Sequence, residues 1–99
     1  MTSIEITRED NESKARYVAK IDGVDGFGEL TLSKVNDALV IVDHTETPDS
    51  MRGMGVAKAL AQRLISDARA ADQKVIPLCP FVKSYAQRHA DEVADVIKF

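Results

Sequence analysis

The chain has 99 residues, enough to bury one core and form one domain. Hydrophobic residues make up 44% and charged residues 29%, ordinary for a globular chain, and a net charge of −3 with pI near 5.3 leaves no basic stripe to displace counterions from nucleic acid. One cysteine forms no internal disulfide, Met-Thr-Ser-Ile-Glu has no basic segment followed by an apolar one, and no run of about 18 apolar residues occurs, so the expected setting is reducing, cytoplasmic and away from membranes.

Taken in order, the first third reads as antiparallel sheet. Residues 3 to 8 form a short strand, and Glu9 to Ser13 is a polar turn. Ala15, Tyr17, Ala19 and Ile21 then alternate with Arg16, Val18 and Lys20, the period of a half-buried strand. Asp22-Gly23 and Asp25-Gly26 surround a tight turn, either glycine supplying the positive φ a hairpin needs. Phe27 to Ser33 follows, with Leu30 and Leu32 on one face and Phe27, Glu29 and Thr31 on the other. After the Asn36-Asp37 turn, Ala38 to His44 is apolar on both faces at its centre, as a central strand would be. Together these predict a four-strand meander, with no repeat or linker.

A helix is predicted from about Gly53 to Ala71, because Val56, Ala57, Leu60, Ala61, Leu64, Ile65 and Ala68 recur at helical spacing. Asp72-Gln73 ends it, and Lys74 to Cys79 makes a fifth strand. A strand–helix–strand crossover implies a parallel pair, right-handed by rule. Pro77 has no N–H for a ladder, so it marks either an edge strand or a place where pairing is broken. Pro80 suits the first turn of a second helix, whose stripe carries Phe81, Val82, Tyr85, Ala86 and His89. A last short helix starts near Asp91 and buries Val93, Ala94 and Ile97.

The stretch that organises the chain is His44 to Ala61, HTETPDSMRGMGVAKALA. Gly53 and Gly55 clear Cβ atoms from the backbone just where a helix start leaves its N–H groups unpaired, with the positive end of the helix dipole behind them. That is an anion site, and phosphate is its usual occupant. Neither a Walker A loop nor G-x-G-x-x-G fits. Arg52-Gly-Met-Gly-Val-Ala57 gives R-x-x-G-x-A, which resembles the pyrophosphate signature of the GNAT superfamily of acyl-CoA-dependent N-acyltransferases. His44-Thr-Glu46 before it and Pro77-Leu-Cys-Pro-Phe-Val82 after the helix resemble a small single-domain GNAT-like subfamily, over about residues 14 to 97.

The resemblance implies an α+β fold, a truncated GNAT-like domain over 1–99, with the meander, a parallel fifth strand and one or two C-terminal helices. It implies acetyl-CoA as co-substrate on Arg52, Gly53, Met54, Gly55, Val56, Ala57 and Lys58, no metal, and an amine acceptor. The fourth and fifth strands would splay to admit the pantetheine arm. No room exists for the two helices that usually follow the first strand, nor for the last two strands, so acceptor specificity does not carry over. The expected state is monomer or weak dimer, with no nucleic-acid partner.

Acyl transfer to an amine needs a base, an oxyanion donor and a proton for the thiolate. Backbone N–H groups near Val42 to Thr45 would polarise the carbonyl, as the family does. His44 is either the base or a structural histidine, with Glu46 as second candidate; Asp43 is expected to point opposite to His44. Tyr85 is either the proton donor that the resemblance implies or a core tyrosine, and His89 a partly buried cap. Cys79 is a nucleophile, a pocket-lining thiol or an inert core residue. Asp43, Glu46 and Asp49 either favour a cationic acceptor or are simply solvated carboxylates beside a loop. Three readings stand: acetyl transfer by direct attack, transfer through a Cys79 acyl-enzyme, and a non-catalytic acyl-CoA-sensing module.

Overall fold

In the computed structural model, which describes residues 3–98, period-two alternation builds one sheet. Its strands are β1 (Ile4–Asp10), β2 (Lys14–Ile21), β3 (Gly28–Asn36), β4 (Leu39–Glu46) and β5 (Lys74–Pro77). They lie in the order β1-β2-β3-β4-β5, antiparallel up to β4, with β5 parallel to β4. A 3-10 turn, Asp49–Met51, and helix α1 (Val56–Ala70) join the parallel pair. Helix α2 (Pro80–Arg88) and the short α3 (Ala90–Val93) follow. This is the expected α+β meander with its parallel fifth strand.

Several boundaries move. β1 runs to Asp10 because pairing continues to Asp10↔Ala15, and Asn11 closes a shorter turn by accepting the N–H groups of Ser13 and Lys14. β3 starts at Gly28 rather than Phe27, whose exposed ring lies under the Arg16 guanidinium at 5.3 Å. α1 starts at Val56, since the left-handed Gly55 ends any helix before it. β4 is interior, paired with β3 and β5, but its outward-facing Leu39 and Ile41 are only half-buried. Val96, not Ala94, completes the C-terminal core, and among the described residues the strand contact beyond α3 is a single bridge, Val75↔Ile97.

The core lies between one face of the sheet and the helices. Ala15, Tyr17, Ala19, Leu30, Leu32, Val40 and Val42 meet Val56, Leu60, Leu64 and Ala68 of α1. Each such leucine, buried, stabilises by about 1.5–3 kcal/mol. α1 can approach β3 because Gly28 has no side chain: a Cβ there would lie 2.5 Å from Val56 Cγ1. Tyr17 locks the sheet to α1. Its hydroxyl donates to Asp67 at 2.7 Å and accepts from Arg8 at 2.8 Å. Burial, and then the Asp67 carboxylate, push its pKa up. At the other end, Arg69 grips Asp95 at 2.7 Å and Lys74 donates to the Asp95 carbonyl, which ties the C-terminal segment down.

Candidate functional site

The path from β4 to α1 is fixed by local hydrogen bonds. Met51 is buried and anchors the 3-10 turn, while Arg52 N–H donates to Asp49 at 3.1 Å and Met54 N–H to Met51 at 3.1 Å. Gly53 and Gly55 then take φ of 80° and 78°, the left-handed region that favours glycine. A Cβ on either would meet nothing within 4 Å, so both present bare backbone to open space. α1 has no side-chain cap and no acidic residue in its first turn. Among the described residues, the N–H groups of Gly53, Gly55, Val56, Ala57 and Lys58 donate to no protein acceptor.

These groups surround a concavity of about 230 Å³ lined by Thr47, Met51, Arg52, Gly53, Gly55, Val56, Ala57, Lys58 and Phe81. Unpaired N–H groups, a helix dipole and two cations fit a polyanion such as a pyrophosphate. The side chain of Arg52 is 79% exposed and meets Asp49 at 3.1 Å, so it is close enough to the opening to exchange partners. Met54 does not line the concavity; it is half-buried and packs against the core. Thr47 and Phe81 are walls that the spacing argument missed. Phe81 stood in the apolar stripe of α2, and periodicity cannot separate the end of a stripe that meets a loop from the rest.

β5 ends before β4 does. β4 and β5 pair from Leu39↔Lys74 to Val42↔Pro77. One further bond, Cys79 N–H to the Val42 carbonyl at 3.2 Å, closes the contact before Pro80 opens α2. Asp43 to Glu46 then continue against β3 alone. Pro77 is the last paired residue of β5, the outermost strand of the sheet, which is the edge position of its two expectations. Cys79 is buried and its thiol donates to Thr45 Oγ1 at 3.3 Å, bridging the end of β5 to β4 beyond their last pair.

One correction changes the site. The register slips between Leu32↔Val42 and Thr31↔His44, leaving Asp43 as an extra residue in β4. Such a bulge turns two successive side chains to the same side. Asp43 therefore shares the helix-free face with His44 instead of opposing it, and accepts the Ser33 hydroxyl at 2.6 Å. The side chain of His44 is 61% exposed, with Nε2 3.6 Å from Glu46. Tyr85 lies elsewhere. It is buried, stacked on His89 with centroids 4.4 Å apart, in a crevice with Gln62, Ile65, Ser66, Arg69, Glu92 and Val93. That crevice shares no lining residue with the glycine-loop concavity. His89 is half-buried and joins α2 to α3, as expected of a cap. Among the described residues, no three His, Cys, Asp or Glu side chains are grouped as a metal site requires, and no helix is long and apolar enough to cross a membrane.

A family model described as GCN5-related N-acetyl-transferase matches residues 16–96. Protein NATD1 of Gallus gallus is 26% identical over 81 residues, which cover 82% of this chain and 74% of that one. Protein NATD1 of Homo sapiens is also 26% identical over 81 residues, covering 82% and 72%. In Xenopus tropicalis the match to Protein NATD1 extends over 87 residues at 26% identity, 88% of this chain and 80% of that one.

Proposed function

The chain belongs to the GCN5-related N-acetyltransferase family, and from that premise we propose that it transfers an acetyl group from acetyl-CoA to an amine by direct attack. The observation that carries this is the set of unpaired N–H groups around Gly53 and Gly55, opening onto the concavity shared with Arg52, Lys58 and Phe81. The loop would hold the pyrophosphate and leave the thioester arm to reach the parting of β4 from β5.

His44 would take one proton from the acceptor ammonium and pass it to water. The freed nitrogen lone pair forms the C–N bond, the C–S bond breaks, and the thiolate takes the second proton that the nitrogen sheds. Backbone N–H groups of β4 beside the bulge would stabilise the developing oxyanion. Cys79 stands beside the end of the β4–β5 pairing and is not a nucleophile in this scheme, because its polar partner is the Thr45 hydroxyl and, among the described residues, no base is hydrogen-bonded to it. Tyr85 stays outside it as a core tyrosine on His89.

The exposure of His44, with Glu46 as its one ion-pair partner among the described residues, favours one competitor, a module that binds acyl-CoA without catalysis. Titration calorimetry with CoA and acetyl-CoA, followed by thiol release with a panel of amines, separates the two. Binding without thiol release supports the module. No binding at millimolar ligand removes both.

A further inference from the structure

The helices cover one side of the sheet, and the register sets the side chains of the other side in rows. One row runs Glu9, Arg16, Thr31, His44. The adjacent row sets Lys14 beside Ser33, whose hydroxyl donates to the bulged Asp43 at 2.6 Å. Over Glu9, Arg16, Thr31, Lys14 and Ser33 the face is concave, a trough of about 510 Å³ that Asp43 also lines, with His44 next along β4 just beyond its lining. Most of its charges are matched internally. Arg16 holds Glu29 at 2.6 Å and Glu9 at 3.4 Å, and Asp10 holds Arg8 at 2.9 Å and Lys34 at 3.0 Å. Two lining charges are left over: among the described residues, Asp43 has no cation and Lys14 no carboxylate at ion-pair distance. They stand on β4 and β2, two strand spacings or roughly 10 Å apart along the sheet.

Resting on the acyl-transfer reading, we infer that this trough is the acceptor site and that the acceptor is a small amine carrying an anionic group. Its ammonium lies on Asp43 and its anion on Lys14. Asp43 and His44 are the first residues of β4 beyond its last pair with β5, so an ammonium on Asp43 stands beside both the base and the end of that pairing. A plain alkylamine satisfies Asp43 and leaves Lys14 unmatched. A diamine sets a second cation against Lys14.

The test is thiol release from acetyl-CoA with a graded series of ω-amino acids, against alkylamines and diamines of the same lengths. Each acceptor is also titrated calorimetrically into protein saturated with CoA. The best ω-amino acid should exceed its alkylamine in kcat/KM by roughly tenfold or more, mainly through KM, as one charge-assisted contact gives. Lys14→Met should bring that ratio to about one, and Lys14→Glu should reverse it toward the diamine; a merely structural lysine would change all acceptors alike. Equal kcat/KM across the series overturns the assignment, as does a preference for amino acids that survives Lys14→Glu. Acetyl-CoA binding with no acceptor bound or turned over also overturns it. Failure of acetyl-CoA to bind removes the acyl-transfer reading and this inference with it, so the two failures are told apart.

Discussion

Gly55 joins the fold to the proposed ligand, and the two roles can be separated by substitution. Its φ of 78° at the start of α1 is a conformation in which an L side chain crowds the following carbonyl, at a cost of about 1–2 kcal/mol. No clash adds to this, because a Cβ there meets nothing within 4 Å. In a domain of this size each kcal/mol moves the thermal midpoint by about 4–8 °C, so Gly55→Ala should lower it by about 4–16 °C. Asparagine tolerates the left-handed region better, and Gly55→Asn should lose less. The same Cβ would stand in the space that the loop N–H groups face. Both variants should therefore lose CoA affinity by roughly tenfold or more, about 1.4 kcal/mol, whatever their stability. Scanning calorimetry gives the first quantity, and titration with CoA well below the midpoint gives the second. An unshifted midpoint in Gly55→Ala would refute the left-handed backbone. Wild-type CoA affinity in both variants would remove the phosphate cradle, and an affinity that recovers in Gly55→Asn in step with stability would reduce the effect to strain.

Gly28→Ala should destabilise by about 1–3 kcal/mol, since its Cβ would lie 2.5 Å from Val56 Cγ1. In a double-mutant cycle by urea unfolding, Val56→Ala should recover part of that loss, and strict additivity would mean the close approach is not there. Tyr17→Phe removes two hydrogen bonds to charged partners and should cost about 1.5–3 kcal/mol. Because the folded pKa of Tyr17 is raised, its contribution is complete below the ordinary value of 10.0 and is lost as pH rises through the folded value. Wild-type stability should thus decline from about the ordinary value of 10.0 upward more steeply than that of Tyr17→Phe, and parallel alkaline limbs would contradict the linkage. Cys79→Ser should keep most turnover; near-complete loss, together with an acetyl adduct on Cys79 that discharges at the rate of turnover, would establish the two-step route. Tyr85→Phe should leave turnover within about threefold, whereas a fall of about a hundredfold or more would restore Tyr85 as general acid.

What the sequence determined by itself is local. Period-two alternation in Ala15 to Ile21 and helical spacing from Val56 to Ala68 name the elements, because burying one face of each is the same requirement in any arrangement. The glycine loop was legible for a similar reason: Gly53 and Gly55 need a left-handed backbone wherever their neighbours lie. Gly28 left a fainter sign, as an isolated glycine in a strand often marks a close backbone approach, but nothing along the chain says that Val56 is what approaches.

The tertiary structure decided everything that depends on register. Alternation along β4 puts Asp43 opposite His44, and only pairing with β3 reveals the extra residue that brings them together. The split between Phe81, on the loop concavity, and Tyr85, in another crevice one turn later, depends on how α2 lies against α1. The unmatched pair of Lys14 and Asp43 is likewise invisible in sequence, since a charge is left over only once every other charge within reach has found its partner. These are distances between segments far apart in the chain, fixed by packing and pairing rather than by the propensity of any one segment.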